Sequence, residues 1–579
     1  MITWLCALVE RAGGVEHLTA ADAGSLGTIA ERYGQRWTAS LLRTRFGGNQ
    51  AAWAYGSGLD RPGPAWRVTG RGRGSWRDDG GALGCMHDVG GRMSERRSVH
   101  VPPAEVRERL ARHLLVDGYR LILDLERSHG SWLVDARDGR EYLDLYTHFA
   151  SAPLGANPRG IVDDPGFMAL LARVAVSKPA NSDMYTTHLA EFVETFARVL
   201  GDPALPHLFF VEGGALAVEN ALKTAFDWKS RRNEAAGRSR DLGTKVLHLT
   251  RAFHGRSGYT MSLTNTDPAK TDRYPAFGWP RIDVPAVTFP LEAHRAGVEA
   301  AEDHALAQAR AAFEANPHDI ACFIAEPIQA EGGDNHMRPE FLQAMQALCH
   351  AHDALFVLDE VQTGVGITGT AWAYQQLGLE PDIVAFGKKV QLGGIMAGRR
   401  VDEVADNVFA VSSRINSTWG GGLTDMVRSR RILEIIEAEG LFDHAAKAGG
   451  YLQSELQGLA DRHAGLVSNA RGRGLMCAID LPGPAPRDRV IAMMREAQVL
   501  LLPCGERTIR FRPALNVTTG ELKAGVQALD DVLGRLAAAA PADDAAPPAG
   551  DAAPPAGDAA LPADDAAPPA DDAAPRGAT

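Results

Sequence analysis

The sequence predicts an α/β protein: a mainly parallel sheet with helices on both faces, followed by a smaller α+β unit. Apolar runs of strand length alternate with longer stretches of helical period, the pattern of successive strand–helix–strand units. The runs are apolar throughout, as expected where both faces of a strand are covered. Three successive runs also end in an ionisable residue, and in open parallel sheets ligands bind beyond the carboxyl ends of the strands.

In chain order the first run is "HLFFV" (207–211), and "ALAVENALKTAFDWKS" (215–230) is the helix that follows it. "KVLHL" (245–249), "IACFIA" (320–325), "ALFVL" (354–358) and "DIVAF" (382–386) continue the strands. "PEFLQAMQALCHAHD" (339–353) is a helix among them. From about Thr418 onward, "DMVRSRRILEIIEAEGLF" and "AAKAGGYLQSELQGL" read as helices, leading to the strands "LMCAID" and "TIRFRP".

The two ends differ from this body. Residues 1–92 hold five of the ten tryptophans but have neither helical nor strand periodicity. Met93 then opens "MSERRSVHVPPAEVRERLARHLL", which reads like an ordinary protein start. Residues 1–92 are therefore expected to be an unassigned, disordered extension, or a stretch that lies upstream of the working start. From Asp543 the chain repeats "DDAAPPA" and "GDAAPPA". Proline in every repeat and the lack of apolar bulk exclude a coiled coil, so residues 541–579 are expected to be an extended, disordered acidic tail.

A hydrophobic content of 45% and a charged content of 23% describe a soluble globular chain. The net charge of −12 gives no support to nucleic-acid binding. Six scattered cysteines (Cys6, Cys85, Cys322, Cys349, Cys477, Cys504) have no paired spacing, which favours a reducing, cytoplasmic setting and no metal site. No apolar run is long enough to cross a bilayer. The opening residues lack the basic lead and cleavage site of a secretory signal.

The stretch "PDIVAFGKK" sets the chemical question, because two lysines follow a buried strand. Lysine is costly to desolvate, so the plain reading is a solvated loop; the sharper one puts a lysine at work in a cleft. Glu326 and Asp359 end the two preceding strands and favour the cleft. An amine with carboxylates suits pyridoxal phosphate, which needs a lysine for its Schiff base and an acid paired with its ring nitrogen. "FFVEGGALAVENALK" offers a phosphate seat, where Gly213 and Gly214 admit close backbone approach before a helix begins at about Ala215. "GVGITG" (364–369) matches a dinucleotide fingerprint, but "DEVQT" separates it from its strand, and that reading is rejected.

Together "FVEGGALAVENALK", "AFHGRSGYT", "AEPIQAEGGD", "LDEVQTGVGITGTAWAYQQ", "PDIVAFGKK" and "NSTWGGGLTDMVR" resemble the class III pyridoxal-phosphate aminotransferases of fold type I. The resemblance runs from about Ser94 to about Leu536. It implies a seven-stranded, mainly parallel central sheet in a large cofactor-binding domain (151–417), and a C-terminal small domain (418–540) to which residues 93–150 contribute. It implies pyridoxal 5'-phosphate as cofactor and a homodimer with shared active sites.

The resemblance also assigns roles. Lys388 is the Schiff-base lysine and proton shuttle, and Lys389 projects to the other face. Asp359 holds the pyridinium, and Gln362 touches the ring oxygen and the substrate. Gly214 and Ala215 bind phosphate, joined by Thr418 from the partner subunit. Phe253 stacks on the ring, Glu326 supports the site from beneath, and His254 is a structural neighbour. Asn416 is assigned to substrate binding. Arg256 and Arg510 clamp carboxylates, and Glu331 covers Arg510 when a diamine donor binds.

Within the family the motifs resemble most the branch that acts on the terminal amine of L-lysine with 2-oxoglutarate as acceptor. Ornithine, acetylornithine or 4-aminobutyrate donors are the alternative, and a non-catalytic interaction protein of this fold is a further one. Two departures from the family pattern stand out: Ala330, where glycine is usual, and Gly422, where asparagine is expected.

Overall fold

In the computed structural model the described residues are 99–538, together with the strands Ala52–Ala54 and Arg67–Thr69. Residues 1–100 and 101–579 form two units. In the first, the two short strands pair antiparallel, which periodicity did not predict. The rest of the N-terminal extension and the acidic tail lie outside the described residues.

The second unit contains the predicted sheet. Its strands are β1 (His207–Val211), β2 (Lys245–Leu249), β3 (Arg281–Ile282), β4 (Ile320–Ala325), β5 (Leu355–Asp359), β6 (Ile383–Phe386) and β7 (Gly393–Ala397). Their order in the seven-stranded sheet is β1-β7-β6-β5-β4-β2-β3. The five strands from β6 to β3 pair parallel, while β7 runs antiparallel to both of its neighbours, β6 and β1.

Every residue of β4, β5, β6 and β7 is buried. Alternate side chains point to two separate cores, as the pleat requires. Ile324, Val357 and Ala385 meet helix α1 (Gly214–Ala235) through Ala221, Leu222 and Trp228. Phe323, Phe356, Val384 and Phe386 face the larger core, which holds Phe341 and Met345 of α2 (Pro339–Ala351) and Met426 and Leu433 of α3 (Leu423–Ala438). A buried aromatic or branched side chain of this kind contributes about 1.5–3 kcal/mol, so the apolar runs give the sheet its stability.

β7 was not among the predicted strands. "GGIMA" carries two glycines, the usual sign of a loop. A Cβ on Gly393 would run into the Gly213 carbonyl oxygen, and one on Gly394 would lie 2.5 Å from that of Phe209. Only glycine lets β7 pass that close to β1 and to the turn before α1. The glycines of "GVGITG" are also a packing feature: a Cβ on Gly364 would strike the Trp372 ring, and one on Gly366 the Phe442 ring.

After α3, helix α4 (Leu441–Arg462) leads to an antiparallel four-stranded sheet, which includes β8 (Met476–Asp480) and β9 (Thr508–Phe511). The strand Glu141–Asp144 near the start pairs parallel with Val499–Leu500 near the end. Chain order does not reveal that pairing.

Candidate active site

The carboxyl ends of β4, β5 and β6, the start of α1 and the strand β9 enclose a cavity of about 360 Å³. Gly214, Ala215, Phe253, Arg256, Glu326, Glu331, Asp359, Gln362, Lys388 and Arg510, all expected from sequence, line it. Asn416 and Thr418 do not. Both are exposed, on the segment before α3.

Lys388 leaves β6 through Gly387, whose Cβ position is 3.2 Å from the Gly214 Cα. A small residue is needed there because the strand end abuts the start of α1. Lys388 itself has a φ of +48°, a left-handed conformation that costs a non-glycine residue energy and is often found at functional sites. Burial, with Arg510 adding to it, pulls its ammonium pKa down to about 8. About a tenth of the amine is therefore uncharged at pH 7, far more than for an ordinary lysine. Its Nζ lies 5.9 Å from the centre of the Phe149 ring.

Lys389 turns away from the cavity but does not reach solvent. It is 2% exposed, and its Nζ donates to the Gln362 carbonyl at 2.8 Å. The expected projection to another face is found, but the side chain ties down the loop that carries Gln362. Burial, and the charge of Lys388 beside it, push its pKa well below the usual lysine value.

Asp359 ends β5. One carboxylate oxygen accepts the Val361 N–H at 3.0 Å, and the other lies 2.8 Å from Nδ1 of His254. His254 is therefore more than a neighbour: it is the partner that orients Asp359. Burial acts to lower its pKa, but the hydrogen bond to Asp359 and the charges of Asp359 and Glu326 outweigh this and raise it. Glu326 lies deeper. Its two oxygens accept the N–H groups of Phe253 and Ala330, each at 3.0 Å. One buried carboxyl thus holds both the loop bearing Phe253 and the loop bearing Glu331, and burial pushes its pKa up to about 7.

Arg510 projects from β9, and its Nη2 is 2.8 Å from Oε2 of Glu331. The other carboxylate oxygen of Glu331 accepts from Lys270 Nζ at 2.9 Å. Burial alone would raise the Glu331 pKa, but Arg510 and Lys270 hold it below the usual carboxylate value. Nε and Nη1 of Arg510 are buried without acceptors, as the side-chain oxygen of Gln362 is without a donor. Sequence reading missed Phe149 and Lys270. Lys270 sits in "DPAK", which carries no catalytic motif, and only the folded loop brings it to Glu331.

These residues fit pyridoxal 5'-phosphate. The free N–H groups of a 22-residue helix open on the cavity at Gly214, a seat for an anionic group. Gly213 has a φ of +84°, and Gly255, at +118°, would strike Ala215 if it carried a Cβ. Asp359 offers a carboxylate, Phe253 a ring face, Lys388 an amine and Gln362 a donorless oxygen, the kinds of group that this cofactor would need.

The chain matches the aminotransferase class-III family model over residues 116–533. It is 63% identical over 426 residues to the L-lysine-epsilon aminotransferase of Amycolatopsis lactamdurans, covering 73% of this chain and 94% of that one. The solved lysine aminotransferase of M. tuberculosis, in its internal aldimine form, superposes with a TM-score of 0.74 at 61% identity, covering 75% of this chain and all of that one. The mitochondrial 4-aminobutyrate aminotransferase of Homo sapiens is 31% identical over 419 residues, covering 67% of this chain and 80% of that one.

Proposed function

The chain belongs to the class-III aminotransferases, and from that premise we propose that it moves the terminal amine of L-lysine to 2-oxoglutarate. The products are 2-aminoadipate 6-semialdehyde and glutamate. The working unit is a homodimer in the cytoplasm, with Thr418 of each chain completing the phosphate site of the other. No helix among the described residues is long and apolar enough to cross a membrane.

The observation that carries the substrate reading is the carboxylate of Glu331 lying on Arg510, with Lys270 on its other oxygen. Both amino-group carriers must use one cavity. L-Lysine enters with its terminal amine at the reacting centre and its α-carboxylate on Arg256, so uncharged methylenes pass Arg510. Glu331 neutralises Arg510 in that pose. 2-Oxoglutarate presents a carboxylate next to the reacting carbon, where an arginine fork binds it bidentately once Glu331 moves aside. The two partnerless nitrogens of Arg510 suit that role. Identity twice as high to the lysine enzymes as to the 4-aminobutyrate enzyme supports the same donor.

Bound pyridoxal 5'-phosphate supplies a carbonyl carbon that combines with amines and a ring that withdraws electrons from the carbon next to the nitrogen. The chain does the rest. The α1 N-terminus at Gly214 and Ala215 seats the phosphate, and Phe253 and Gln362 fix the ring's plane and edge. Asp359, oriented by His254, keeps a proton on the ring nitrogen. Lys388 would anchor the cofactor between turnovers. Its Nζ, once uncharged, would accept the proton lost from the terminal carbon of lysine and hold it until delivery to the cofactor, a role suited by a pKa lowered to about 8.

A donor screen with 2-oxoglutarate as acceptor tests this reading. L-Lysine is expected to give the highest kcat/KM among L-lysine, L-ornithine, N-acetylornithine and 4-aminobutyrate. A preference for any of the other three overturns the named donor.

A further inference from the structure

A second cavity, of about 530 Å³, lies behind the wall that carries Glu331. This is large enough for a small ligand. Most of the charges around it are satisfied within the chain. Arg471 donates to the Gly333 and Asp334 carbonyls and to Asp480, and Arg487 to the Gly505 and Glu506 carbonyls. Arg507 and Glu506, at the exposed rim, are opposite in sign.

Two groups of the lining remain: one buried carboxylate oxygen without a donor and one exposed cation without an ion-pair partner among the described residues. Asp267 is 3% exposed, and its Oδ1 accepts the Ala269 N–H at 2.9 Å, but its Oδ2 is buried without a donor. A buried carboxylate oxygen without a donor carries a desolvation cost that a ligand cation would relieve. Arg251 is exposed to the cavity, and no hydrogen bond or ion pair among the described residues engages its guanidinium. Its backbone is held at a φ of +60°, unfavourable for a non-glycine residue.

Both groups are mechanically joined to Glu331. Asp267 caps the short turn Pro268–Lys270, and the Nζ of Lys270 holds Glu331. The backbone at Arg251 packs on Gly332, the residue after Glu331, so closely that any Cβ there would strike the Arg251 carbonyl. A third contact comes from the far wall, where Gly505 N–H donates to the Glu331 carbonyl at 2.9 Å while Arg487 holds the Gly505 carbonyl.

We propose that this second cavity binds a free α-amino acid, its ammonium on Asp267 and its carboxylate on Arg251, and that occupancy loosens Glu331 from Arg510. A zwitterion matches the donorless Asp267 oxygen and the unpaired Arg251 cation together, whereas a simple anion or cation meets only one of them. Drawing Arg251 toward the ligand pulls on the backbone packed against Gly332, the residue after Glu331, and shifts the Glu331 carboxylate off Arg510. The acceptor half-reaction, which needs Arg510 uncovered, gains relative to the donor half-reaction. The binding part stands on its own; the effect on Glu331 rests on the function proposed above.

The test uses the full-length, cofactor-loaded enzyme and L-alanine, which has no terminal amine to donate. Equilibrium dialysis with radiolabelled L-alanine is expected to show one site per chain that survives in Arg256→Gln. Asp267→Asn keeps the turn's cap, and with Arg251→Gln it should weaken that site by about tenfold or more, the cost of one charge-assisted hydrogen bond. L-Alanine should also raise the ratio of the 2-oxoglutarate-side to the lysine-side half-reaction rate by about fivefold. No binding beyond the active site, or binding unchanged in both variants, overturns the site. Binding without a change in the ratio overturns the coupling. If L-lysine proves not to be the donor, the dialysis result still decides the site.

Discussion

Oε2 of Glu331 lies 2.8 Å from Nη2 of Arg510, and both side chains are largely buried, at 19% and 2% exposure. Removing one member of such a pair leaves the other charge in a poor solvent, so each substitution acts on a different half of the reaction. Arg510→Ala is expected to cost the 2-oxoglutarate half-reaction about 2–5 kcal/mol, the usual effect of losing one partner of a buried charge pair. Glu331→Ala should instead slow the lysine half-reaction more than the 2-oxoglutarate half-reaction, because Arg510 then faces the donor uncovered. Single-turnover rates of each half, followed through cofactor absorbance, separate the two. Equal damage to both halves in both variants rejects the exchange of partners.

The adjacent lysines should fail differently. Lys388→Ala is expected to abolish turnover and the visible absorbance of the bound cofactor, while the fold survives. Lys389→Ala should keep the absorbance. However, it removes a fully buried side chain and the donor to the Gln362 carbonyl, at a cost of about 2–4 kcal/mol in stability. Solvated loop lysines would give no such loss. Thermal unfolding beside absorbance spectra measures both, and an unchanged melting temperature in Lys389→Ala contradicts the buried role.

Glu326 makes stability depend on pH. Burial raises its carboxyl from 4.5 to about 7, so between those values the folded chain keeps a proton that the unfolded chain has lost. The folded state binds more protons in that window. Its stability relative to a neutral analogue is therefore full below about pH 4.5 and is lost as pH rises through about 7. Glu326→Gln should be closest to the parent protein, or ahead of it, above pH 7, and should fall behind as pH drops toward 5. Urea unfolding of both proteins across that range measures the difference. A difference that does not vary with pH rules the raised carboxyl out.

Thr418 lies on an exposed segment outside its own chain's cavity. If its hydroxyl completes a partner's phosphate seat, Thr418→Ala should release cofactor faster, with Lys388 still reactive, and the active species should sediment as a dimer. An active monomer is the result that removes this residue from the site.

Much of this molecule is legible along the chain. The buried strands are uninterrupted apolar runs, since a strand covered on both faces needs apolar side chains at every position. Asp359 and Lys388 are legible for the same reason: they are the abrupt charges that end such runs, and Gly213–Gly214 marks the turn into α1, where Gly213 has a φ of +84°. β7 is not legible, because its glycines answer to strands far away in sequence rather than to its own conformational preference. His254 shows no special feature in sequence and becomes the orienting partner of Asp359 only when β5 and the loop after β2 are laid side by side. Lys270 and Arg251 belong to the same class. Local periodicity and turn chemistry report what each segment prefers; which charges share a buried space is decided by packing between distant segments. That packing alone brought Lys270, Glu331 and Arg510 into one chain of contacts.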